Sequence, residues 1–304
     1  MNKLITILGP TASGKTNLAV HVAKELGGEI ISADSRQVYR GLDIGAGKDL
    51  EEYTLGETHI PYHLIDIIDL VEEYNVFRFQ HDFHQVYQGI LDRGNAAILC
   101  GGTGLYIQTI LDGYKLYPVP KDSEFRENLE SKTQEELVDI LKMYTGELHN
   151  TTDTEIKSRT IRAIEIARYC HQNRIKQETY PAIESKVFGI SIEREVLKKR
   201  ITQRLRDRLE NGMVEEVEGL LAGGVTEDRL KLLGLEYKFL TQHLKGELTY
   251  GEMFERLNIA IHQFSRRQMT WFRKMEKQGH EIHWIDGEQS LEEKVKGVVE
   301  KLGL

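Results

Sequence analysis

The chain has 304 residues, 40% of them hydrophobic and 29% charged, with a formal net charge of −8. That length suits one large domain or two moderate ones, and the apolar fraction supports a full core. Five prolines and no low-complexity run argue against disorder. No stretch approaches the roughly 20 apolar residues of a membrane span, and the apolar run near the N-terminus is too short for a signal peptide. Cys100 and Cys170 show no paired spacing, which argues against a disulfide framework or a zinc site and for a reducing cytoplasm.

In chain order, Lys3–Leu8 is an apolar run of strand length. Gly9-Pro10-Thr11-Ala12-Ser13-Gly14-Lys15-Thr16 follows it and fits G-x-x-x-x-G-K-[ST] at every fixed position, and Asn17–Leu26 reads as a helix. Strand before and helix after is the context in which this motif is a phosphate loop. The glycines let backbone N–H groups point at phosphate oxygens. Lys15 adds a point charge, Thr16 a hydroxyl for Mg²⁺, and the helix N-terminus a partial positive charge. A bound di- or triphosphate is expected. Glu29–Ala33 reads as a second buried strand with Asp34 at its carboxyl end, the edge where open α/β sheets bind ligands. Asp34 reads equally well as a carboxylate that holds Mg²⁺ or takes a proton, and as a cap or turn residue.

Further apolar strands are predicted at His63–Ile68, Ala96–Cys100, Val187–Ile192 and Glu281–Ile285, with helical patterns between most of them. This alternation predicts an α/β fold of the P-loop NTPase kind, a mostly parallel sheet with helices on both faces. Gly101-Gly102-Thr103-Gly104 follows one strand; its glycines suit close approach of backbone to a ligand, or a plain turn. From about 116 to 185 the rhythm breaks at Leu116-Tyr117-Pro118-Val119-Pro120. Helical patterns over 124–132, 134–143 and 154–172 follow without a strand. The expectation is a helical insertion domain, 116–185, within a catalytic core of 1–115 and 186–304. One long amphipathic helix is predicted over 196–221, ended by Gly223-Gly224. Another is predicted over 252–275, with Phe254, Leu257, Ile261, Phe264 and Met269 on its buried side.

The charge is segregated. Lys186–Arg208 holds eight basic and three acidic residues, whereas Asp49–Glu73 holds eight acidic and none basic. Lys157–Lys176 carries six basic and one acidic residue and Arg266–Lys277 five and one. Such helices serve as a track for a phosphate backbone or as ordinary solvated faces.

The loop Gly9–Thr16 followed by Asp34-Ser35-Arg36-Gln37-Val38-Tyr39-Arg40-Gly41-Leu42-Asp43-Ile44-Gly45 resembles the start of a tRNA dimethylallyltransferase (tRNA isopentenyltransferase). His63-Leu64-Ile65-Asp66, Gly101-Gly102-Thr103-Gly104-Leu105-Tyr106, Ile161-Arg162-Ala163-Ile164-Glu165 and Arg266-Arg267-Gln268-Met269-Thr270-Trp271-Phe272-Arg273 continue the likeness in order over nearly the whole chain. The resemblance implies transfer of a dimethylallyl group from dimethylallyl diphosphate to N6 of adenosine 37, next to the anticodon of tRNA. The loop would then hold a diphosphate leaving group rather than ATP.

It further implies that Asp34 is the general base, with Lys15 and Thr103 catalytic. Gly9, Pro10, Thr11, Ala12, Ser13, Gly14, Lys15 and Thr16 would bind the diphosphate, Thr16 with Mg²⁺ as cofactor. Ser35, Arg36 and Gln37, with Asp34 and Thr103, would meet the anticodon stem-loop at the site. Ser158, Arg159, Thr160, Ile161 and Arg162 would touch it from the insertion, and Lys231 and Glu236 from the second half. A cytoplasmic monomer, away from membranes, is implied.

Three departures stand out. Gly45-Ala46-Gly47-Lys48 replaces the family's I-G-T-A-K, implying a more mobile loop or an altered substrate preference. Gly146–Asp153 is all that remains of a longer stretch. Lys231-Leu232-Leu233-Gly234-Leu235-Glu236 replaces R-x-x-G-Y-[RK], and a carboxylate near RNA phosphate implies that Glu236 points away. The rival readings are a small-molecule kinase, prenyl transfer to free AMP, a GTPase-like switch, for which N-K-x-D is missing, and a paralogue that binds tRNA without modifying it.

Overall fold

The computed structural model describes residues 4–145, 156–173 and 180–303. It divides into two compact units, Met1–Gly113 with Ala182–Leu304, and Tyr114–Pro181. The remnant stretch at 146–153 lies outside the described residues.

The larger unit is built on strands β1 (Leu4–Leu8), β2 (Gly28–Ala33), β5 (Tyr62–His63), β6 (Ala96–Gly101), β7 (Ser185–Ser191) and β8 (Ile282–Asp286), in the order β5-β2-β6-β1-β7-β8. Every pairing in this sheet is parallel. A separate antiparallel pair, β3 (Thr54–Leu55) and β4 (Thr58–His59), lies in the connection before β5. Both faces of the sheet are buried, so its strands read as continuous apolar runs. Leu4, Leu8, Ile31, Ala33, Ala97 and Leu99 pack on one face with Phe79 and Phe83 of α2 (Val76–Asp92), Tyr106 and Ile107 of α3 (Gly104–Asp112) and Phe272 of α11 (Tyr250–Lys277). Ile5, Ile7, Ile30, Ile98 and Cys100 face the other way, against Leu18 and Val22 of α1 (Lys15–Leu26) and Val298 of α12 (Leu291–Leu302). This is the expected α/β fold with helices on both faces.

Three local expectations are corrected. The third strand is two residues long, not six. Leu64 and Asp66 take positive φ of 61° and 56°, which breaks extended geometry. The chain then turns to bond its Asp66 and Ile67 N–H groups to the carbonyls of Gln37 and Val38. The helix predicted over 196–221 is two, α7 (Arg194–Glu210) and α8 (Met213–Ala222). They part at Asn211-Gly212, where Gly212 adopts φ 97°; amphipathic periodicity runs through that turn and conceals it. In α11, Leu257 and Ile261 are buried as expected, but Phe264 is 39% exposed.

The helices α7, α8, α9 (Glu227–Leu233), α10 (Leu235–Leu244) and α11 share a second core with Val38, Tyr39 and Leu42 of the segment after β2. The smaller unit packs α4 (Ser123–Glu130), α5 (Gln134–Thr145) and α6 (Lys157–Asn173) around Leu129, Leu137, Leu141, Ile161 and Ile164. Buried Glu165 ties it together, accepting from the Asp122 N–H at 2.7 Å and pairing with Arg126 and Arg162.

Glu29, near the start of β2, is buried and accepts from Arg93, Asn95 and His63. The bonds from Arg93 outweigh burial and, with those from Asn95 and His63, hold its carboxyl at about 2. A depressed carboxyl stabilises the fold above its unfolded value near 4.5 and loses that contribution as pH falls toward 2. Urea unfolding should therefore show Glu29→Gln less stable than the parent at neutral pH, with the gap closing as pH drops through that window. A gap independent of pH would contradict this.

Candidate active site

The carboxyl ends of β1, β6 and β2, neighbours at the centre of the sheet, deliver the phosphate loop, Thr103 and Asp34 to one place. All three segments line a single cavity of about 570 Å³. Gly14 caps α1 in a left-handed conformation (φ 80°) and supplies no side-chain bond to the first turn. The amides of that turn are left for an anion. Ala12 also has positive φ (60°), so alternating left-handed residues curl the loop into an amide nest. Ser13 is buried, and its Oγ has no hydrogen-bond partner among the described residues. Removal from solvent lowers the Lys15 pKa, with Arg204 adding to the effect and Asp34 and Glu52 opposing it. An arriving phosphate would favour the charged ammonium.

Asp34 Oδ1 accepts the Arg36 N–H at 2.8 Å, so the carboxylate closes a turn while it lines the cavity. The turn reading is borne out, and the carboxylate still borders the cavity. Thr103 Oγ1 accepts the Ser35 N–H at 3.2 Å, and the Thr103 N–H bonds Ala33 O at 3.2 Å. Thr103 thus fixes the backbone that carries Asp34. Gln37 accepts from Ser32 Oγ and donates to Gly47 O, which aims it at its own loop.

That loop is anchored. Glu216 of α8 accepts N–H bonds from Asp43, Ile44 and Gly45 at 3.1, 2.6 and 3.2 Å and the Tyr237 hydroxyl at 2.7 Å. A Cβ at Gly45 would lie 2.7 Å from the Tyr237 ring, and one at Gly47 would lie 2.2 Å from the Arg208 guanidinium. The glycines there make room for those side chains. The same holds after β6: a Cβ on Gly102 or Gly104 would strike Gln268 or Trp271, each at 2.4 Å. Protein, not ligand, fills that space.

Periodicity alone did not single out the residues that complete the cavity. Arg200, Arg204 and Arg208, four apart on α7, all line it. Arg204 and Arg208 pair with Asp49. Burial pushes the Asp49 carboxyl up, but the two guanidiniums prevail and hold it low. Glu52 joins the cavity, raised by burial and by the Asp49 charge, with Oε2 unpartnered among the described residues. The spacing of the three arginines was visible in the basic stretch; its direction was not.

Glu236 lines the cavity, so it does not point away. Burial raises its carboxyl, while Arg208 and Arg204 act against that. Lys231 also lines it, shared with Glu227 and Glu247 at 3.7 Å each. In the smaller unit, Ser158 and Arg159 are exposed. Thr160 and Ile161 are 0% and 2% exposed; Thr160 accepts from Gln134 and Ile161 belongs to the unit's core. As direct RNA contacts these two are ruled out by burial; they hold the helix. Arg162 is tied to Glu165 and to Val119 O.

Gln268 of α11 is 7% exposed and bridges two loops. Its Oε1 accepts the Thr11 N–H at 2.9 Å and its Nε2 donates to Gly102 O at 3.0 Å. One amide therefore sets the phosphate loop against the Thr103 loop.

These features define a phosphate-loop α/β protein with a carboxylate sharing the cavity of that loop. Comparison with known proteins narrows the class. The chain matches the IPP transferase family model over residues 37–275 and the isopentenyl transferase model over residues 2–63. It is 53% identical over 299 residues to tRNA dimethylallyltransferase 2 of Bacteroides fragilis, covering 98% of this chain and 97% of that protein. To tRNA dimethylallyltransferase 2 of Trichlorobacter lovleyi it is 52% identical over 284 residues, covering 93% and 92%. Its structure is similar to the full-length tRNA isopentenylpyrophosphate transferase of Bacillus halodurans, with TM-score 0.73, 31% identity, and coverage of 100% and 96%. The chain belongs to the IPP transferase family.

Replacing Gln268 by Ala removes both bonds of the clamp, each worth about 1 kcal/mol. Calorimetric titration should show diphosphate bound roughly 10- to 30-fold more weakly, with Gln268→Glu unable to restore it because a carboxylate cannot donate to Gly102 O. Unchanged affinity would remove Gln268 from this role.

Proposed function

We propose that this protein transfers a dimethylallyl group from dimethylallyl diphosphate to N6 of adenosine 37, next to the anticodon of tRNA, and releases diphosphate. The observation that carries the reading is the convergence of the amide nest, Asp34 and Thr103 on one cavity at neighbouring strand ends. In the reaction the bond from the allylic carbon to the diphosphate oxygen breaks, and N6 forms the new bond to that carbon. N6 is a weak nucleophile because its lone pair is delocalised into the ring. It sheds a proton as it attacks, and Asp34 takes that proton, a role typically worth 10²–10⁴-fold. The loop amides, Lys15 and the α7 guanidiniums neutralise the departing diphosphate. Thr103 holds the Asp34 turn in place through Ser35.

The donor set suits Mg²⁺. Thr16 offers a hydroxyl and Glu52 an unpartnered carboxylate oxygen, both on the cavity wall. Mg²⁺ typically takes one or two protein carboxylates and draws the rest of its oxygens from water and substrate phosphates. When bound it would supply positive charge to the leaving diphosphate.

The target base is extruded from its loop at a cost of a few kcal/mol, offset by contacts of Ser35, Arg36, Gln37, Lys231 and Glu236 at the cavity and of Ser158, Arg159 and Arg162 on α6. We place this activity in the cytoplasm, where tRNA is available, and in a monomer. No described helix is long and apolar enough to cross a membrane.

The test incubates the protein with labelled dimethylallyl diphosphate and total tRNA and then digests the RNA. A labelled N6-modified adenosine is expected; ADP release from ATP with no labelled RNA would select phosphoryl transfer instead. Asp34→Ala should keep diphosphate binding and lower turnover at least about 100-fold, and unchanged turnover would end its role as base. Lys15→Ala should weaken dimethylallyl diphosphate binding by about 10-fold or more, the scale of one charge-assisted bond of 1.5–3 kcal/mol. An unaltered dissociation constant would move the donor elsewhere.

A further inference from the structure

Phe264 is out of place for its position on α11. Leu257 and Ile261 point into the core, yet Phe264, one turn on, is 39% exposed and lines the cavity. Arg267 lines the cavity too, and its guanidinium lies 5.9 Å from the centre of the Phe264 ring. Leu232 of α9, 68% exposed, lines the same cavity, together with Lys231 and the Lys238 of α10. An exposed aromatic and an exposed Leu share the wall with three cations, whereas Ser13 is 1% exposed and Asp34 and Thr16 are half-buried. The apolar pair therefore lies on the open side of the cavity, and Asp34 and Ser13 lie deeper in its wall.

A nucleobase has an apolar face and an adjoining negative phosphate, and single-stranded RNA is held by stacking its bases on aromatic and Arg planes beside cationic side chains. Phe264 and Arg267 offer the first, and Lys231 and Lys238 the second. A protein partner would bury more apolar surface than one ring and one Leu provide. We propose that Phe264, backed by Arg267, is a stacking platform for the unpaired RNA nucleotide that directly flanks the reacting adenosine. It would hold the flanking base on that open side while the adenosine enters toward Asp34. This rests on the transferase reading above and adds to it a site that grips the neighbour of the target.

The test is a double-substitution cycle on RNA binding. The parent and Phe264→Ala are titrated with an anticodon stem-loop, and with stem-loops in which the nucleotide 5′ or 3′ to the target is abasic. Binding of inorganic diphosphate is measured in parallel. Phe264→Ala should bind the intact stem-loop about 5- to 150-fold more weakly, the range of a base–aromatic stack, with diphosphate affinity unchanged. Phe264→Trp should restore RNA binding. One of the two abasic stem-loops should weaken the parent by a similar factor and leave Phe264→Ala indifferent.

Additive losses in the cycle, or a parent that binds both abasic stem-loops as well as the intact one, would overturn the platform. The second of these measurements needs no variant at all, so a poorly folded Phe264→Ala cannot shield the idea. A parent that neither binds the stem-loop nor modifies RNA would instead defeat the transferase reading. A parent that modifies RNA without coupling at Phe264 defeats the platform alone.

Discussion

Parallel pairing of β2, β6 and β1 is the constraint on which the site rests. Because these strands run side by side in one direction, their carboxyl ends open on one edge, and the residues that follow them meet although Thr11, Asp34 and Thr103 are far apart in the chain. The register is close: a Cβ on Gly101 would lie 2.3 Å from Ala33 O, so glycine alone lets β6 finish against β2. Once the ends are aligned, two short links lock the loops. Thr103 reaches the Ser35 N–H, and Gln268 spans from Thr11 to Gly102. A sheet with either strand reversed would leave the same residues at opposite edges.

Charge is arranged to match. The cavity gathers Lys15 and three arginines of α7, while Asp34, Asp49, Glu52 and Glu236 share its wall. Mutual pairing keeps this density of charge tolerable inside a partly dry cavity. Asp49 takes two guanidiniums, which leaves the site net attractive to an anion yet stocked with carboxylates to accept protons or share a cation. The segregation of acid from base along the chain is bridged in space at one point, where Asp49 of the acidic segment meets Arg204 and Arg208 of α7.

Much of this was legible in the sequence. The phosphate loop, the buried strands and the helical insertion follow from local patterns: glycines where backbone must turn left-handed, apolar runs where both faces are covered, and a change of rhythm at Tyr117-Pro118. What escaped were features set by packing. The third strand stops early because Leu64 and Asp66 are forced into positive φ by pairing with the segment after Asp34. Thr160 and Ile161, taken by resemblance for RNA contacts, are instead the inward face of α6. Phe264 fits an apolar stripe but lines a cavity, since a 3.6-residue period gives the stripe and not where the neighbouring helices leave it uncovered.

By itself the sequence determined that backbone amides would be left unpaired at the start of the first helix, because a glycine-capped first turn lacks a side-chain acceptor. It also determined the α/β class, through apolar runs long enough only for strands. Tertiary structure alone decided which side chains share a cavity with those amides. Arg204 and Arg208 turn inward, Glu236 joins them, and Gln268 arrives from near the other end of the chain. Such contacts depend on how helices stack against one another and on which strands are neighbours, and neither is encoded in any short window of residues.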